Sequence, residues 1–149
     1  MRKFRGWHKD HGEAKKVIAF GDGSVEVIWI DRGYCSEVWP EGEPHEIVDA
    51  ESKGWVIEES SELFDRDGVE IFEGDLVRLD DINELPYTMI IKLKDNGVIK
   101  GEKDSVIGQV LFHSGNFCFG VLLNGVIESR ALGFIDKKNL VVVGRAKGE

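Results

Sequence analysis

Along most of the chain, apolar and polar positions alternate in short runs separated by glycine-bearing turns, a period of two that predicts strands rather than helices. The run VEVIWI (Val25–Ile30), the turn Asp31-Arg32-Gly33 and the run YCSEVW (Tyr34–Trp39) predict a hairpin. KKVIAFGDGS before it supplies another short strand, so residues 14–39 read as a meander that Pro40, Gly42 and Pro44 stop. From His45 to Leu63 no period is sustained, which predicts a turn of helix at most and then a short strand over Trp55–Glu58. Phe64–Leu79 is the most regular stretch. Its turns Asp67-Gly68 and Glu73-Gly74-Asp75 bracket one strand and launch a second.

Further on, MIIKLK (Met89–Lys94) and VIK (Val98–Lys100) flank Asn96-Gly97, a pair suited to the positive φ angles of a primed turn, and a second hairpin is expected there. A third joins VIGQVLFH (Val106–His113) to FCFGVLLN (Phe117–Asn124) through Ser114-Gly115-Asn116. Asn124-Gly125 turns the chain into VIESRAL, and LVVVG (Leu140–Gly144) is the last strand. Substitution at Gly12, with no hairpin signal around it, is expected to cost less than at Gly125. GDLVRL, GQVLF, FCFGVLL, IESRAL and LVVVG make five short antiparallel strands, with the short connection FIDKKN before the last. The predicted fold class is all-β with little helix: an N-terminal β region with an acidic connection over residues 1–63, packed on a small SH3-like barrel over residues 64–149.

Composition narrows the class. The 149 residues suffice for a core without staples, and 18 Gly against 3 Pro favour tight turns over a proline-rich linker. The net charge of −9 opposes binding to nucleic acid. That charge is unevenly spread. Residues 41–62 carry eight acids against Lys53, whereas Arg2, Lys3, Arg5, Lys9, Lys15 and Lys16 make the first 16 residues locally basic. The start MRKFRGWHKDHG is charged where a secretory leader would need a continuous apolar run, and no run approaches the roughly 18 apolar residues of a membrane span. A bacterial cytoplasmic location is expected, with Cys35 and Cys118 as free thiols.

Three stretches resemble the YopX family of phage and prophage proteins: KFRGWHK, DRDGVEIFEGDLVRL and GFIDKKNLVVVG. In the central one, Asp65, Gly68, Glu70, Ile71, Phe72, Glu73, Gly74, Asp75, Leu76 and Val77 stand at the positions of the family's motif. Just upstream, Glu59–Phe64 departs from the run common in that family. The resemblance implies an all-β fold and an origin in a mobile element, and supplies no catalytic residue.

The candidate chemistry is sparse. Asp65-Arg66-Asp67-Gly68 hints at a calcium loop, but Glu70 and Leu76 occupy the places where an EF-hand needs Gly and a bidentate Glu; side chains bonded to nearby amides are expected instead. Glu70, Glu73 and Asp75 lack any asymmetry that would divide acid from base. His8, His11, Cys35 and His45 offer one close pair where structural zinc wants two, and His113 has no orienting acid. Phe4, Trp7, Trp29, Trp39 and Trp55 read as core first and interface second. No catalytic, cofactor or metal site is assigned, and no cofactor is expected. The function expected is a noncatalytic protein-binding or assembly module, with a host or phage protein as partner and homo-oligomers through exposed edges. The alternative is a nucleic-acid-associated regulator, for which RKFRGWHK joins cations to aromatics.

Overall fold

The period-two signal becomes burial most clearly in the strand Asp75–Leu79, where Asp75, Val77 and Leu79 are buried while Leu76 and Arg78 face the other way. A computed structural model describes residues 3–10, 12–14, 16–19, 25–28, 45–48, 55–101, 103–113 and 115–146. They fall into two compact units, divided in the chain between Ser60 and Ser61.

In the first unit, β1 (Phe4–His8) pairs antiparallel with β2 (Gly12–Glu13) and with the start of β6 (Trp55–Phe64). A second sheet is the meander β3 (Lys16–Ala19), β4 (Val25–Ile28) and β5 (His45–Val48). The expected strand Tyr34–Trp39 and its turn lie outside the described residues. β4 takes His45–Val48 as its partner, so this segment is a strand and not a turn of helix. The strand expected over Trp55–Glu58 runs on to Phe64. Its inward positions include Glu58 and Ser60, and Glu58 is 4% exposed yet neutralised by Arg5 directly across the ladder at 2.9 Å. Because polar groups occupy core-facing positions here, hydrophobic alternation could not announce the strand.

In the second unit, the end of β6 pairs with β7 (Glu70–Phe72), and the chain then enters a five-stranded antiparallel sheet. Its strands are β8 (Asp75–Leu79), β9 (Val106–His113), β10 (Asn116–Leu123), β11 (Val126–Ala131) and β12 (Leu140–Arg145), in the order β11-β10-β9-β8-β12. The last strand returns beside the first after 3-10 turns at Leu132–Phe134 and Lys137–Asn139, the connectivity of an SH3-like barrel. Val77, Leu79, Val110, Phe119 and Leu132 fill it. The ring of Phe119 lies so close to Gly108 that a Cβ there would sit 2.7 Å from it.

The hairpin expected over Met89–Lys100 is instead a helix, α1 (Tyr87–Asp95), with Met89 and Leu93 buried in the barrel core. Met89, Ile90 and Leu93 are spaced one and then three apart, a helical face rather than an alternating one. Asn96-Gly97 is the helix stop: Gly97 has φ +72°, its N–H donates to Lys94 O at 3.0 Å, and Val98 N donates to Leu93 O at 2.9 Å. That bond pair is a Schellman cap, which needs the same positive φ at glycine as a primed turn. No helix among the described residues is long and apolar enough to cross a membrane.

Candidate functional site

The acids of the central motif are engaged in holding the chain together. Asp65, 1% exposed, accepts from Asp67 N (2.8 Å) and Val69 N (2.9 Å) through Oδ1 and from Val142 N (2.9 Å) through Oδ2. One carboxylate thus shapes the 65–69 turn and ties it to β12. Arg66 N adds a bond to Leu140 O at 3.0 Å, so residues 65–66 cover the edge of β12 that faces away from β8. Asp75, fully buried, accepts from Phe72 N at 2.8 Å and closes the tight turn at Glu73-Gly74. Glu70 and Glu73 are half-buried beside it. The turn role expected for these acids is therefore what Asp65 and Asp75 perform.

The remaining candidates do not come together. His8 accepts from Asp10 N at 3.0 Å through Nδ1 and stands 5.0 Å, ring to ring, from the buried Trp55. His11 and Cys35 lie outside the described residues, as do Trp29 and Trp39, and of His45 only the backbone is described. His113 is exposed, and Cys118 is a buried free thiol whose Sγ points at backbone carbonyls. Among the described residues no three His, Cys, Asp or Glu side chains form a metal-holding group.

What the barrel does present is an apolar groove. One depression, of about 250 Å³, is lined by the end of β6 (Glu62, Leu63, Phe64), the 3-10 segment (Leu132, Gly133, Ile135, Lys137) and Leu140. A second, of about 360 Å³, shares Leu63 and Gly133 and continues over Ser61, Asn116, Phe117, Ala131 and Phe134. Phe112 extends the surface, edge-on to Phe117 at 5.1 Å. Phe64, Phe112 and Phe134 are 46%, 56% and 71% exposed, and rings of that size clustered in water are the usual mark of a binding surface.

The groove's β6 wall is held in an unusual conformation. Glu62 has φ +63°, a left-handed backbone that a non-glycine residue adopts at a cost of about 1 kcal/mol. Ser61 fixes it there, its Oγ donating to Ile71 O at 2.7 Å and accepting from Leu63 N at 3.1 Å. Phe134, which lines the second depression, carries a cation-π pair: the guanidinium of Arg130 stands 5.1 Å from the centre of its ring. Sequence reasoning placed the binding aromatics in the N-terminal unit. It missed Phe112, at the end of an apolar run, and Phe134, in a 3-10 turn between strands, because inward and outward positions read alike in both places.

A family model described as YopX protein matches residues 3–144. The crystal structure of protein yopX from Bacillus subtilis is similar to this chain, with 14% identity and a TM-score of 0.52 over 95% of this chain and 90% of that one. That of protein EF1440 from Enterococcus faecalis has 22% identity and a TM-score of 0.49 over 97% and 92%. The likeness to the first is one of fold. No curated protein is matched.

Proposed function

The chain belongs to the YopX protein family, and from that premise we propose that it is a noncatalytic protein-binding or assembly module that docks its partner in the aromatic groove of the barrel. The reading takes the chain as phage- or prophage-encoded, cytoplasmic in a bacterial host, and its partner as a host or phage protein. The observation that carries it is the run of exposed Leu63, Phe64, Phe112 and Phe134 around two adjoining depressions. Aromatic rings bring large contact area with few rotatable bonds, so they dominate protein interfaces. The strained Glu62 backbone supports the same reading, since strain that the fold maintains gathers at binding sites.

A photo-crosslinking residue placed at position 112 or 134 tests it, with position 87, where Tyr87 is 75% exposed on α1, as control. The same protein crosslinked from both groove positions and not from the control is the expected result. Equal labelling at all three would sink the proposal.

A second reading, a nucleic-acid-associated regulator, draws on Arg130 stacked over Phe134 beside Phe112 and Phe117, the cation and ring combination of single-strand binders. The charge of −9 weighs against it, because phosphate contacts supply most of such affinity. Submicromolar binding of a single-stranded oligonucleotide near physiological salt, lost in Phe134→Ala, would reverse the preference.

A further inference from the structure

Arg130 is short of a partner. It extends from β11 opposite Phe119, is half-buried, and its Nε is buried without a hydrogen-bond acceptor. Among the described residues no carboxylate lies within ion-pair distance of it, and its one ring contact is Phe134. Acids are not scarce in this chain, which has 28 of them against 19 Lys and Arg. Two other guanidinium groups of the barrel, those of Arg66 and Arg78, both reach Asp80, at 3.0 and 2.6 Å. A buried donor left without an acceptor is destabilising, and this one belongs to a guanidinium set against Phe134, a ring that lines the groove. Lys137, on the rim of the adjoining depression, likewise has no carboxylate within ion-pair distance among the described residues, and Asp136 beside it pairs with Lys138.

We propose that Arg130 is the anchor that selects the groove's ligand, and that the ligand is an extended partner segment presenting an Asp or Glu side chain next to a large apolar one. This rests on the reading of the groove as a protein-docking site. The planar fork of a guanidinium matches a carboxylate through two parallel bonds, and the Phe134 ring already restricts its orientation, so little rotamer freedom remains to be lost on binding. The neighbouring apolar side chain is taken by the depression that Leu63, Phe117 and Phe134 line. The acid is taken as a side chain within the segment, whose chain runs on along the groove past Gly133 towards Lys137.

The test uses a displayed library of short random peptides selected on the full chain, with selection against Phe134→Ala to keep only groove binders. Enriched peptides are expected to share an acid beside an aromatic or aliphatic residue. Arg130→Gln should weaken such a peptide about tenfold, the scale of one lost charge-assisted hydrogen bond. Exchanging the peptide's acid for its amide should do the same, and the two changes together should cost little more than either alone. Arg130→Lys, which keeps the charge but not the fork, should retain part of the affinity. Groove-dependent peptides that lack an acid, or that bind Arg130→Gln unchanged, would overturn the anchor while leaving the docking reading intact. A library yielding no groove-dependent peptide, or a groove that captures only oligonucleotides, would overturn both.

Discussion

Asn124 and Gly125 have φ values of +49° and +80°, the pair a type I′ turn demands, and nothing lies within 4 Å of where a Gly125 Cβ would stand. The cost of a side chain there is thus the backbone's alone. Gly125→Val is expected to lower stability by about 1 to 3 kcal/mol. Gly12, expected to be the cheaper site, has φ +75° and opens β2 opposite His8, with equally open space around it. Gly12→Val should consequently carry a penalty of the same kind, and Gly133→Ala, at an open glycine without positive φ, is the proper control. Denaturant midpoints of the three variants decide the matter; a Gly125→Val midpoint equal to that of the control would contradict the turn. Asp80 makes a residue-level statement about pH. The hydrogen bond from Arg78, with the charges of Arg78 and Arg66, holds its carboxyl below the ordinary value against a smaller opposing effect of burial. Because the folded value is depressed, the contribution is present above the unfolded carboxylate value of about 3.9 and is lost as pH falls through the folded one. The stability gap between wild type and Asp80→Asn should close in acid, and urea midpoints at neutral and at low pH would show whether it does.

At the scale of elements, Asp65 is a bolt between a turn and the final strand. Asp65→Ala leaves three amide groups without their acceptor in a buried place, and a loss of about 3 kcal/mol or more is expected. Asp65→Asn is the sharper probe. An amide whose oxygen keeps the Asp67 and Val69 bonds turns its NH₂ towards the Val142 N–H, so the turn survives and β12 is released. Amide exchange should then quicken at Val142 and its neighbours in β12 before it does in β8. Uniform quickening across the barrel would mean that Asp65 acts on global stability and not on that edge.

For the whole molecule, the strand order leaves β11 with β10 on one side and, among the described residues, no strand on the other. Val126 and Ile127 on it are 57% and 43% exposed. An edge of that kind invites pairing, whereas β12 is covered by the Asp65 turn. Homo-oligomers formed through β11 are therefore expected, and Ile127→Lys should return them to monomers. Light scattering after size exclusion checks both statements, and a wild-type monomer at tens of micromolar, roughly the range of modest interfaces, would remove them.

The sequence by itself determined the strands β7 to β12, their turns and the all-β class, because there the local signals agree: period-two burial, Asp-Gly and Asn-Gly at positive φ, and one inward face of Val, Leu and Phe. It also determined that Asp65 and Asp75 serve turns, since short carboxylates beside glycine find backbone amides close at hand. Tertiary structure alone decided the rest. Helix α1 and a hairpin share the Asn-Gly signal, and only a core with room for Met89 and Leu93 selects the helix. β6 has polar residues where an isolated strand would show apolar ones, and the burial of Glu58 makes sense only with Arg5 beside it. The groove was least legible. It is assembled from Leu63, Phe117 and Phe134, far apart in the chain and each ordinary in its local setting, and a surface of that kind exists only once distant segments have been brought together.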